Sequence, residues 1–242
     1  MIRLERLISP GMRESLIHAL PATSPCTHFS TPLTLAECSH IAYCAGRLDR
    51  TGTAIQPEHV EEGFFTGTLF SRNRIRGCTD VVLIRADARN PQRITEAGIL
   101  SEMLLIMLAA EGLQTCRLFD GYKQGLLPAV PGLDTIAVLA VGHGSMTSPP
   151  EAPSAGSWSH AGWPEPIVRA VRYAAFMPSA VSASPCQARW ESHTLTLSTD
   201  QSDRFLFGCA LAHAELALNI PHHWSVHAQG LSASASFMLQ KA

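Results

Sequence analysis

The hydrophobic pattern of this 242-residue chain changes period several times, and each change predicts an element. Residues 80 to 86, DVVLIRA, are a β-branched run that predicts a buried strand, and DTIAVLAVG, 134 to 142, predicts a second. From 93 to 113 apolar side chains recur almost all round (Ile94, Ile99, Leu100, Met103, Leu104, Met107, Leu108). A helix apolar on every face is a buried central helix. RFLFGCALAHAELALN, 204 to 219, has the same character, with Gly208 near its start as Gly98 is in the first helix. Both glycines are expected to permit close helix packing in the core. HTLTLS alternates with period two, within a strand pair around 188 to 197, so one face is buried and one is polar. TLAECSHIAYCAGRL, 34 to 48, predicts a helix with Thr34 as N-cap and Glu37 three residues on. Residues 165 to 176 predict another.

Between these elements, 20 to 35 read as irregular, and 144 to 166 carry proline, glycine and serine at linker density. The linker divides the chain into 1–150 and 151–242. Each part offers strands and one heavily buried helix, which points to two related halves forming one compact unit.

Composition narrows the function. Hydrophobic residues make up 46% of the chain and charged ones only 16%, against about 25% in a typical soluble domain. Such a surface favours subunit contact, and a homodimer is expected. The formal charge is −2, without a long lysine/arginine-rich run, so neither nucleic acid nor an anionic membrane is an expected partner. The first residues, MIRLERLISPGMRES, lack the apolar core of a secretory signal. The greasiest stretch contains Glu102 and is shorter than the about 20 apolar residues that span a bilayer. Seven cysteines without a CxxC pair fit reduced thiols, and a cytoplasmic location is expected.

Generic nucleotide, phosphate-loop, zinc-protease and nucleophile-elbow motifs are missing. Cys26, His28, Cys38, His40 and Cys44 have metal-binding chemistry without the paired spacing of a zinc finger. His213 and Glu215 lie on the second buried helix, where a hydrogen-bonded core histidine is expected. His222, His223 and His227 follow Pro221 and are expected on a solvated loop.

Four segments in order resemble the nitroreductase (flavin reductase) family, in its branch with two fused halves. GILSEMLLIMLAAEGLQTCRLF is similar to that family's buried helix and GLGTCW-type turn, with Gln114 in place of a glycine and Arg117 in place of an aromatic. DTIAVLAVGHG is similar to its closing strand. PEPIVRAVRYAAFMPSAVSASPCQARW resembles its helix followed by an APSxxNxQPW motif, and RFLFGCALAHAELAL resembles the branch's next helix. Together they cover about 93 to 220.

The resemblance implies an α+β fold: a nitroreductase-like three-layer sandwich, its mixed or antiparallel sheet flanked by helices, with two fused half-repeats. It implies FMN held by Pro178, Ser179, Ser182 and Ser184 on one wall and by Gln114, Thr115 and Cys116 on another, the serines replacing longer amide side chains at 182 and 184. It gives Arg13 as the candidate phosphate partner; a solvated surface charge is the alternative for that residue. The implied activity is hydride transfer from NAD(P)H through FMN to a small-molecule acceptor such as a nitroaromatic or quinone, with no catalytic side chain required. Two other readings stay open: a flavin-free protein of the same fold binding another small molecule or a protein, and a metal protein built on the Cys/His cluster.

Overall fold

The computed structural model describes residues 10–50, 52–61, 63–66, 75–144, 162–176, 187–199, 203–227 and 232–237. Helices are α1 (Pro10–Ala19), α2 (Leu35–Leu48), α3 (Pro91–Ala110), α4 (Glu165–Ala175) and α5 (Arg204–Ala217). Strands β1 (Phe29–Thr31), β2 (Thr53–His59), β3 (Asp80–Ala86), β4 (Gln114–Leu118) and β5 (Asp134–Gly144) form one sheet. A second sheet, in the order β6-β7-β9-β8, holds β6 (Gln187–Glu191), β7 (Thr194–Ser198), β8 (His222–Val226) and β9 (Ser232–Phe237). Among the described residues every pairing between strands is antiparallel.

Local chemistry sets the helix ends. Thr34 caps α2: its hydroxyl accepts from the Glu37 N–H, and the Glu37 carboxylate accepts from the Thr34 N–H at 2.7 Å. Asn90 caps α3 by accepting from the Gln92 and Arg93 N–H groups, with Pro91 at the first helical position. Just past the end of α3, Gly112 takes a φ of +80°, which turns the chain back toward the sheet. Of the turn expected over 112 to 117, the part from Gln114 onward is a strand, β4, pairing with β5 from Gln114↔Gly142 to Leu118↔Val138.

The pleat divides the first sheet's side chains between two clusters. Val82, Ile84, Leu139 and Val141 face the helices and join a core that runs through α2, α3, α4 and α5 to Leu195, Leu197 and Trp224 of the second sheet. Val81, Leu83, Val138, Ala140 and Cys116 face the other way, into a smaller cluster with Phe29, Phe64 and Phe65. The two sheets thus flank a shared helical layer, and the expected α+β class and antiparallel pairing are observed. No helix among the described residues is long and apolar enough to cross a membrane.

At the centre α3 and α5 approach backbone to backbone. A Cβ on Gly98 would lie 2.0 Å from the Phe205 carbonyl oxygen, and one on Gly208 would lie 2.1 Å from that of Thr95. The expectation of close packing through this pair is met, reciprocally. Gly98→Ala and Gly208→Ala should each destabilise the protein by about 2 kcal/mol or more, because backbone cannot step aside as a side chain can. Gly46→Ala, with nothing near its added methyl, should instead gain about 0.5–1 kcal/mol. Urea denaturation of the three variants checks both signs.

Candidate functional site

Of the residues the sequence nominates, Pro178, Ser179, Ser182 and Ser184 lie outside the described residues. Gln114, Thr115 and Cys116 are adjacent on β4, but strand alternation sends them to opposite faces. Thr115 is opposite Val141 on the helix side, and its carbonyl accepts from the Cys26 N–H at 2.8 Å. Gln114 and Cys116 are opposite Gly142 and Ala140 on the outer side. There the Gln114 Oε1 is buried without a hydrogen-bond partner, which leaves an acceptor for a ligand.

Glycine opens this outer face. Gly142 runs beneath the Phe29 ring, where a Cβ would come within 2.9 Å of it. Gly77, at φ +70°, lets the chain pass 2.1 Å (measured from an added Cβ) from the Phe29 carbonyl. The Phe29 N–H donates to the Arg76 carbonyl at 2.9 Å, which ties the next segment alongside. A hollow of about 430 Å³ follows, lined by Phe65, Ile75, Arg76 and Cys78 among others. Its size is that of a small-molecule site. Arg76 is exposed and pairs with no carboxylate among the described residues. Sequence reasoning passed over it, although SRNRIRG places arginines at alternate positions 72, 74 and 76. Burial pushes the Cys116 thiol up to about 12 and the Cys78 thiol up to about 11, so both are apolar wall, not nucleophile.

A buried ionic bridge joins β4 to the end of α4. The Arg117 guanidinium pairs with the Glu102 carboxylate of α3 and lies 5.4 Å from the centre of the Phe205 ring. The other Glu102 oxygen accepts from His213 Nε2 at 2.8 Å, on α5. His213 Nδ1 faces the carbonyls of Tyr173, at 3.3 Å, and Phe176. Both ring nitrogens thus lie within hydrogen-bond distance of acceptors on α3 and at the end of α4. Burial opposes the Glu102 charge, but Arg117 and His213 outweigh it and hold the carboxyl well below the usual range. The expected hydrogen-bonded core histidine is therefore present, and it anchors the residue that precedes 177–186.

Arg13 is not a solvated charge and is not open to a phosphate. It donates to Glu215 Oε1 at 2.7 Å and to the Glu215 carbonyl, with its side chain 14% exposed. Glu215 Oε2 accepts from His222 Nε2 at 2.6 Å and from the Trp224 indole at 2.9 Å. His222, expected on a solvated loop, is instead buried on β8, because a buried carboxylate on α5 needs donors on every side. Burial lowers the His222 pKa, but the bonds to Glu215 and the Ile220 carbonyl prevail and raise it. Among the described residues no three His, Cys, Asp or Glu side chains converge as metal ligands.

No protein-family profile and no curated protein matches the sequence. Solved structures do. A candidate nitroreductase from Thermotoga maritima superposes with a TM-score of 0.60 over 91% of this chain and 92% of its own, at 15% identity. The chain has the nitroreductase fold. A nitroreductase with bound FMN from Desulfitobacterium hafniense gives 0.48 over 61% of this chain and 98% of its own, also at 15% identity. Within this nitroreductase fold the Glu102 carboxylate and the His222 imidazole make opposite demands on pH. Glu102→Gln should cost about 3–5 kcal/mol at neutral pH, since it strands the buried Arg117 cation. Because the folded carboxyl is depressed, that difference should fade as pH drops below about 4. For His222, raised on folding, the contribution should be complete below about pH 6.5 and decline as pH climbs above it. Stability against pH for wild type, Glu102→Gln and His222→Gln measures both.

Proposed function

We propose that this protein is a nitroreductase-type flavoprotein, built from two fused halves (1–150 and 151–242), that moves electrons from a reduced nicotinamide to a small electron-poor acceptor. The observation that carries this reading is the nitroreductase fold across 91% of the chain, together with an outer hollow that has its own cation. The described residues fit FMN in kind. Phe65 and Ile75 line the hollow with apolar surface and Arg76 lines it as a cation for the phosphate, while Gln114 Oε1, on the same face of the sheet, is a buried acceptor without a partner. Bound FMN would supply the hydride-accepting and hydride-donating centre. The protein's own part is to bind, orient and exclude water, with the Glu102 bridge holding β4 and the end of α4 at a set spacing.

One observation favours a second reading, a flavin-free protein of this fold. Arg13, the cation nominated for the phosphate, is committed to Glu215, which leaves that work to Arg76, which lines the outer hollow, and to the exposed Lys123 beside Gly63. A phosphate without charge-assisted bonds loses much of its affinity.

The purified protein should be yellow, or should quench FMN fluorescence on titration, and should oxidise NADH or NADPH with benzoquinone as acceptor. Arg76→Ala should weaken FMN binding about tenfold or more, the worth of a hydrogen bond to a charged group. Arg13→Ala should lower stability and leave FMN affinity within about twofold. No flavin in the isolated protein and no response to added FMN would establish the flavin-free reading instead.

A further inference from the structure

On the helix side of the first sheet, remote in direction from Gln114, lies a second hollow of about 290 Å³ between α2 and the adjoining ends of β2, β3 and β5. Leu33, Ile41, Val82 and Val141 make it apolar, and Asp80 and His59 give it a polar corner. Strand register explains the grouping. His59 is opposite Asp80, and Asp80 is opposite Val141, so the three point to the same face in a row.

The corner is a carboxylate with capacity to spare. Asp80 Oδ2 accepts from the Thr79 hydroxyl at 3.1 Å, and Oδ1 accepts from His59 Nδ1 at 3.1 Å. A carboxylate offers about four acceptor positions, so two bonds leave it unsaturated. Asp80 is 20% exposed, whereas His59 is 73% exposed and so easily displaced.

An anion has no purchase here. No lysine or arginine lines the hollow among the described residues. Leu33 and Cys38 from the start of α2 line it, and there the Thr34–Glu37 capping box occupies the amides of Thr34 and Glu37. The Cys38 thiol at the same wall is pushed up by burial and then by Asp80 and Glu37, which agrees with a negative local field.

We infer that this hollow is a binding site for a small apolar ammonium, an aryl- or alkyl-amine whose body lies between Ile41 and Val141 and whose N–H donates to Asp80. The site is independent of the flavin reading, since it uses the opposite face of the sheet and none of the nominated cofactor residues.

Benzylamine, protonated at pH 7.5, is the probe, and benzyl alcohol is its neutral counterpart. Titration followed by amide chemical shifts should give a Kd below about 1 mM for benzylamine, the scale of a weak specific contact. The shifts should centre on Cys38, Asp80 and Val141. Benzyl alcohol should bind at least tenfold more weakly. Asp80→Asn should abolish that preference, and Ile41→Trp should block both ligands. Equal affinity of wild-type protein for the amine and the alcohol, shifts centred elsewhere, or no saturation by 10 mM, on the order of ten times that Kd, would overturn the inference. These readouts use wild-type protein alone, so a variant that fails to fold does not shelter it.

Discussion

The structure depends on the place where α3 and α5 cross without side chains between them. At Gly98 and Gly208 each helix presents a bare Cα to a backbone carbonyl of the other, Phe205 in one direction and Thr95 in the reverse. Any side chain there would force the helices apart by more than the close-packed core around them can absorb. The crossing joins an early and a late part of the chain, so both sheets share one helical layer and one hydrophobic core.

The close approach also makes the buried charges workable. Glu102 leaves α3 four residues after Gly98, and at that separation it reaches His213 of α5 while holding Arg117 of β4. Charges buried in isolation would be prohibitive; here each buried carboxylate takes donors from several elements, and each donor would be costly without it. Glu215 repeats the solution at another site, gathering Arg13 of α1, His222 and Trp224 of β8. Hydrophobic burial does not fix register, because it is non-directional. These two bridges do, since a carboxylate can satisfy its donors in few geometries.

The candidate cofactor site follows from what the bridges leave free. Arg13 is consumed by structure, and a cation that lines the outer hollow is Arg76. Thr115 is consumed by the core, and the side chain with an unused buried acceptor is Gln114. Fold and chemistry are separately tunable, because the scaffold rests on the helix crossing and the chemistry on a few side chains outside it.

The sequence by itself determined the elements with a strong local pattern. All-round apolar runs made 91–110 and 204–217 buried helices, β-branched runs made β3 and β5 strands, alternation made β7, and Thr34 with Glu37 started α2. Each rests on local periodicity or capping, which neighbours in sequence suffice to specify. Only the tertiary structure decided which polar side chains would be spent. Arg13 and Glu215 are separated by 202 residues, and His213 and Glu102 by 111. The pairing of charges so far apart is set by which helices cross and in what register. The same holds for 114–118, where the turn expected after α3 is a strand because β5 has an edge to complete, a partner no local pattern can see.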